Sequence, residues 1–422
     1  MKAIVQRSTA VVTFVGLLGL TLTAPQYRHV ERFADLLVVA PRRKTLAQMA
    51  LLEIDGVDAS NLADFFRISP WDPDDLRLPL VRFILAYLKG RVTDTSLPIF
   101  LTIDDSLAPK DKGTTKLESV DWLFDHNRRQ TVRAGNHVVL RIHWGDFHFP
   151  LLWRLYVRQS TVRRRNKRRS KNNKLRYYSK LDLTQQMLQQ VLPLLPKGCS
   201  VYVLFDSWYT SAKLVRWVRQ QRWHVIAGVK SNRNLSGRKL TCWHTEQKGR
   251  PYTKVALGLA NGQKRTYWVR SAEGRINGVP GNVRVLISQK APGAQAPRYF
   301  LCTDLTLSAQ AILERYQLRW AQEVDYWHVK LQLGLGDFRL QSYEAIAKWY
   351  AVVYLVLTYL HWQRYEHEKA QPRTTTLSEV MTRIRQQHQR DVLRSACQEV
   401  AGGTSLEQVL ERYLGPQDAQ VA

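Results

Sequence analysis

Hydrophobic and polar positions along the chain change period more than once. From Val30 to Lys89 apolar residues recur at helical spacing, in Thr45–Glu53, in Ser60–Arg67 and in Leu80–Leu88, with a turn expected around Asp55 and Gly56. Two short helices about a glycine turn can form a helix-turn-helix, and Arg42, Arg43 and Lys44 stand where they would meet phosphates. The earlier apolar run, Ser8 to Ala24, follows Lys2 and Arg7 like the hydrophobic stretch of a signal peptide, but it predicts a buried opening helix.

Beyond Pro70, Pro73 and Pro79 the period shortens to that of strands. Pro98–Asp104, His137–Trp144 and Phe147–Val157 are rich in β-branched and aromatic residues, and Gly135-Asn136 and Gly145-Asp146 predict tight turns between them. Helices are expected at Asp182–Leu194 and Ser211–Gln221. They bracket Ser200–Phe205, whose nearly all-apolar run suits a central parallel strand, and His224–Lys230 follows as a further strand. Three strands, helix, strand, helix, strand is the order of a ribonuclease H-like fold.

Between Ser231 and Pro297 helical periodicity is absent, and short strands such as Arg265–Arg270 and Val283–Ser288 alternate with turns. Continuous helix is expected over Ala309–Leu335, and a second, apolar one over Ala345–Trp362. Two capped helices should begin near Thr376 and Thr404. The pattern predicts an α/β chain with a helical N-terminal region that could bind DNA (1–95) and a ribonuclease H-like core in two parts (96–230 and 298–365). A β-rich insertion (231–297) separates those parts, and a helical tail (366–422) closes the chain.

Charge gives this architecture a partner. Lys and Arg number 63 against 35 Asp and Glu, a formal net charge of +28, far more than solubility requires and of the sign that attracts polyanions. Eight cations among twelve residues crowd the segment Arg163, Arg164, Arg165, Lys167, Arg168, Arg169, Lys171 and Lys174. Such a run repels itself, and is expected to lie along a DNA backbone with strongly salt-dependent affinity. The four cysteines are widely separated, with no zinc-ligand spacing and no disulfide framework, so a reducing cytoplasm is the expected setting. No membrane role is expected.

Candidate chemistry lies at three places. Asp104 and Asp105 end the first strand, Asp206 ends the central one, and Glu323 lies on the late helix. Strand ends that meet at one rim could bring these acids together, where hard oxygen donors would suit two Mg²⁺ ions, or Mn²⁺ in their place. At about 100° per residue, Tyr316, Arg319, Glu323 and Lys330 fall within about 60° on the helical wheel.

In Ile103–Gly113, Leu204–Thr210 and Tyr316–Glu323 with Lys330, the chain resembles the bacterial DDE transposases whose third motif is the Y-R-E-K signature, the insertion-sequence-four-like group. The likeness spans about Leu97 to Leu360. It implies that Asp105, Asp206 and Glu323 bind the catalytic metals and that Tyr316, Arg319 and Lys330 hold the transposon-end backbone. Asp105 is favoured over Asp104 because Ser106 follows it, although side chains alternate along a strand. The resemblance also implies that a Trp of the insertion, Trp243 or Trp268, stacks a flipped base. The expected activity is nicking of transposon ends and joining of the 3′-OH to target DNA, with double-stranded DNA as partner and a homodimer joining two ends. A catalytically inactive DNA-binding derivative, a structure-selective nuclease and an RNA-directed ribonuclease are the alternatives.

Overall fold

The protein is described from a computed structural model covering residues 2–41, 43–54, 56–246, 251–258, 262–292, 297–371 and 373–415; Arg42 and Asp55 lie outside the described residues. Among these residues five helices precede the first strand: α1 (Thr9–Leu17), α2 (Ala24–Val39), α3 (Leu46–Ala50), α4 (Ala59–Arg67) and α5 (Asp74–Arg91). Local chemistry starts them. Thr23 and Gln26 form a capping box on α2, Thr45 accepts from Gln48 N, and the Asp58 carboxylate accepts from Ser60 N and Asn61 N. Leu62, Phe65 and Phe66 bury one face of α4, where Phe65 stacks between Phe33 and Trp71. Of the cations expected to meet phosphates, Arg43 is exposed, whereas Lys44 is 3% exposed and its ammonium donates to the Ala40 carbonyl. No helix among the described residues is long and apolar enough to cross a membrane.

The core strands are β1 (Ile99–Pro109), β2 (Val120–Asp125), β3 (Gln130–Trp144) and β4 (Phe147–Tyr156). After α6 (Gln159–Asn166) and α7 (Lys180–Val191) come β5 (Val201–Phe205), α8 (Ala212–Gln220) and β6 (His224–Val229). β4, β3, β1, β5 and β6 lie side by side in that order. β3 is antiparallel to both β1 and β4, while β1, β5 and β6 run parallel. This is the ribonuclease H-like arrangement, and β5 at its centre is buried throughout. Gly135 and Asn136, expected to turn, instead sit inside β3 opposite Ala108 and Leu107. A Cβ at Gly135 would lie 3.4 Å from the Tyr350 hydroxyl, an ordinary contact, so the ladder with β1 and not crowding holds the pair in the strand. The turn at Gly145 holds, with φ of 57°.

The insertion departs from expectation in one element. It carries β7 (Asn234–Leu235), β8 (Arg238–Lys239), β9 (Thr253–Gly258), β10 (Lys264–Gly274) and β11 (Val283–Gln289), but also a short helix, α9 (Leu240–Glu246). With β12 (Arg298–Cys302), strands β11, β10 and β9 continue the core sheet outward from β6, giving one sheet of ten strands.

The late helix is interrupted. α10 (Ala309–Gln317) and α11 (Trp320–Trp327) are separated at Leu318 and Arg319, where the bonds tighten to i→i−3, and α11 ends in a π-type turn, His328–Gln332. α12 (Tyr343–Ala370) is buried over most of its length, covers one sheet face and packs against α2, α4 and α5. α13 (Leu377–Ala401), started by a Thr376–Glu379 capping box, and α14 (Leu406–Leu414) complete the described chain.

Candidate active site

Register decides which acids can meet. Thr102 pairs with Leu204 and Ile103 with Phe205, so Asp104 and Asp206 follow as the next neighbours on adjacent parallel strands. Side chains alternate across a sheet. Leu204 and Ile226 pack towards α10, whereas Leu101, Ile103 and Phe205 pack towards α7 and α8. Asp104 and Asp206 therefore share the face covered by α10 and α11, and Asp105 lies on the opposite face. There Asp105 accepts from Asn136 Nδ2 (3.0 Å), Lys180 Nζ (2.6 Å) and Tyr209 OH (2.9 Å), an anchorage that uses both its oxygens. Of the two neighbouring acids it is Asp104 that stands with Asp206, because odd and even residues of β1 look to different layers.

The break at Leu318–Arg319 sets the rest of the site. Arg319 Nη2 donates to Asp104 Oδ2 at 2.8 Å, and its Nη1 reaches the Tyr316 hydroxyl at 3.5 Å. Tyr316 packs edge-on to Phe300, and its hydroxyl lies over Gly228, where a Cβ would come within 3.3 Å. Gly228 thus admits the phenol beside Asp206. Burial of Arg319 disfavours its charge, but Tyr316, Asp104, Asp206 and Glu323 together outweigh that and hold it more firmly protonated than usual. Glu323 is exposed, and partial desolvation, opposed by Arg319, raises its carboxyl. Burial is also the largest influence on Asp104; despite Arg319, and with Asp105 and Asp206 adding repulsion, its carboxyl is pushed up to about 7. Lys330 is lowered by burial and lies in the field of Asp104 and Asp105.

A buried clamp fixes α11 on both sides of Glu323. Gln322 accepts from Thr102 Oγ1 (3.1 Å) and donates to the Val139 carbonyl (2.9 Å), tying the helix to β1 and β3. Asp325 pairs with the fully buried Arg141 of β3 and with His361 Nε2 of α12 at 2.9 Å. Arg141 also donates to the Ala321 carbonyl at 3.0 Å. Sequence reasoning passed over this clamp because Gln322, Asp325 and Arg141 carry no motif by themselves; an Arg within a strand otherwise buried on both faces was the available signal.

The cationic segment is divided by the fold. Arg163, Arg164, Lys167, Arg168 and Lys171 are exposed. Arg165, in contrast, donates to the Thr115 and Leu117 carbonyls, and Arg169 pairs with Glu118 and Glu344. Those two tie the segment to the rest of the chain, so of the run expected to lie along DNA they are committed to the fold instead. In the insertion, Trp243 is half-buried and donates to the Leu235 carbonyl at 2.9 Å, while Trp268 is half-buried on β10 with Lys254 4.7 Å from its ring centre.

A family model described as "DDE superfamily endonuclease" matches residues 21–274. The chain belongs to the DDE superfamily of endonucleases. The matched segment of this DDE endonuclease includes Asp104, Asp105 and Asp206 and ends before Glu323. No curated protein sequence matches the chain. Among solved structures, the cryo-EM structure of the piggyBac transposase synaptic complex with hairpin DNA is similar at 11% identity with a TM-score of 0.47, covering 99% of this chain and 83% of that one.

Proposed function

We propose that this DDE endonuclease is a DNA transposase of the Y-R-E-K type, which nicks the ends of its element and joins the freed 3′-OH to target DNA. The observation carrying the proposal is the placement of Asp104 and Asp206 just past the Ile103–Phe205 pair on adjacent parallel strands, with Arg319, one helical turn before Glu323, bound to Asp104. Three hard oxygen donors around one guanidinium fit divalent cations such as Mg²⁺ in donor chemistry, and the upward shift of Asp104, set first by burial and then by Asp105 and Asp206, is one that a bound cation would offset. As they stand, no three acidic or histidine side chains among the described residues are gathered closely enough to enclose an ion. Asp104, Asp206 and Glu323 would be the ligands, with Asp105 anchoring β1 from the other face. Bound there, two Mg²⁺ or Mn²⁺ ions would supply activation of the attacking oxygen and stabilisation of the leaving one.

Arg319 now serves as countercharge to Asp104; relieved of that duty, it offers its donors to a phosphate. Tyr316 and Lys330 flank it to hold the same strand. In the first reaction water attacks the phosphorus and the 3′-oxygen leaves as a hydroxyl. In the second that hydroxyl attacks a target phosphodiester and displaces its 3′-oxygen. The partner is double-stranded DNA, terminal repeats and target, engaged by a homodimer in a bacterial cytoplasm. The test is the purified protein with its terminal repeats in Mg²⁺: Asp206→Asn should bind them and not cut, and unaltered cleavage by that variant refutes the assignment. The closed Asp104–Arg319 pair favours one other reading, a DNA-binding derivative without activity, for which the unaltered protein would bind and never cut.

A further inference from the structure

The hairpin β2–β3 stands out on the surface because its apolar residues face solvent. β2 is an edge strand, paired only with the first part of β3, and its alternate residues Trp122 and Phe124 are 41% and 53% exposed. They lie on one face about 7 Å apart along the strand. That spacing matches bases drawn out of a helical stack rather than bases within a duplex, about 3.4 Å apart. Cations surround them. Arg133, opposite Trp122, places its guanidinium 5.7 Å from the indole centre; Arg158 donates to the Trp122 carbonyl at 3.0 Å; and Arg128 and Arg129 are exposed at the tip. Beyond Arg158 runs α6 with the exposed Arg163 and Arg164.

The hairpin and the acids act on a common neighbour. Lys330 lies in the field of Asp125 and Arg128 at the hairpin tip and of Asp104 and Asp105 at the rim.

We propose that the outer face of β2–β3 is a platform for unpaired DNA, with Trp122 and Phe124 stacking successive bases, the buried Arg133 backing the Trp122 ring, and the exposed Arg128 and Arg129 neutralising the phosphates. This rests on the reading of the protein as a DNA transposase, whose reaction creates a free strand end beside Lys330. Stacking accepts any base, because every base has a π-face, so the platform holds the strand without selecting sequence. Asp125 does not spoil the complementarity: it caps Asn127 N and Arg128 N and pairs with the Arg128 side chain.

The test compares two probes on the full chain at one salt concentration, a labelled oligothymidylate and a blunt duplex. Trp122→Ala with Phe124→Ala should weaken oligothymidylate binding about thirtyfold and leave the duplex within about twofold, as expected for two lost base stacks. Trp122→Phe with Phe124→Tyr should keep both affinities, which separates lost stacking from misfolding. An oligonucleotide carrying 5-iodouracil should photocrosslink to the peptide containing Trp122 and Phe124. Unchanged oligothymidylate binding, equal loss on both probes, or crosslinks confined to other peptides overturns the proposal. So does conversion of a dimer to a monomer at unchanged oligothymidylate affinity, which would assign the exposed edge to a second copy of the chain. If the unaltered protein binds neither probe and cuts nothing, the transposase reading itself fails.

Discussion

Asp104 and Asp105 are chemically the same residue, yet one peptide bond separates a crowded acid from an anchored one. Asp105 has three donors within 3.0 Å, whereas among the described residues Asp104 has Arg319 as its one side-chain partner and shares its face with Asp206. Their asparagine variants should therefore diverge. Asp104→Asn should cut terminal-repeat DNA roughly a thousandfold more slowly, the scale of losing one preorganised charge contact to a transition state. Asp105→Asn should lose less than about tenfold in rate and show its cost in the melting temperature, since it gives up the Lys180 ion pair. Cleavage rates and thermal melts of the two variants decide the matter.

The raised carboxyl of Asp104 has a thermodynamic sign. Its folded value of about 7 exceeds the ordinary carboxylate value, so between about pH 4 and 7 the folded state binds the extra proton. Metal-free protein should therefore lose stability as pH rises through that window, by on the order of 1 kcal/mol per pH unit for this group. Urea midpoints across that range should show the fall, and Asp104→Asn should flatten it.

At the scale of elements, Glu323 is held where it is by what its neighbours do underneath. Removing one partner of a buried ion pair strands the other, so Asp325→Ala should destabilise by about 3–5 kcal/mol. Hydrogen exchange in α11 should accelerate more than in α10, which lacks the clamp. This is also where the sequence was partly opaque. The alternation and apolar runs of β1, β5 and β6 made the ribonuclease H-like order legible, and the third motif was legible as helix. The break at Leu318–Arg319 was not, because Tyr316, Leu318 and Arg319 all suit a helix; the i→i−3 bonds there accompany the reach of Arg319 to Asp104, a contact 215 positions away in sequence. Gly135-Asn136 misled for a related reason: local turn chemistry predicted a bend, and the long ladder of β3 with β1 carries the pair through as strand. β2 went unseen because Trp122 and Phe124 alternate outward, so its polarity is reversed.

Across the whole molecule the excess positive charge is selective in its use. Arg165 and Arg169 spend their donors on the fold, leaving Arg163, Arg164, Lys167, Arg168 and Lys171 for phosphates. Each phosphate contact contributes about 0.9 to the slope of log affinity against log salt. Replacing those five by alanine should reduce that slope by about 4.5, measured by titration over a salt series. Replacing Arg169 alone should act through stability.

The unbroken run of strands from β6 through β12, β11 and β10 to β9 means that the insertion is welded to the core rather than hung from it. A graft exchanging residues 231–297 with those of a relative would cut between β11 and β12, splitting a ladder that spans Arg284–Ser288 and Arg298–Cys302. Chimaeras made at that boundary should be insoluble, because an opened apolar edge invites foreign strands. Moving the seam to follow Cys302 keeps β12 with β11 but shifts the junction to the ladder of Tyr299–Cys302 with Ile226–Val229, so either boundary falls inside the sheet.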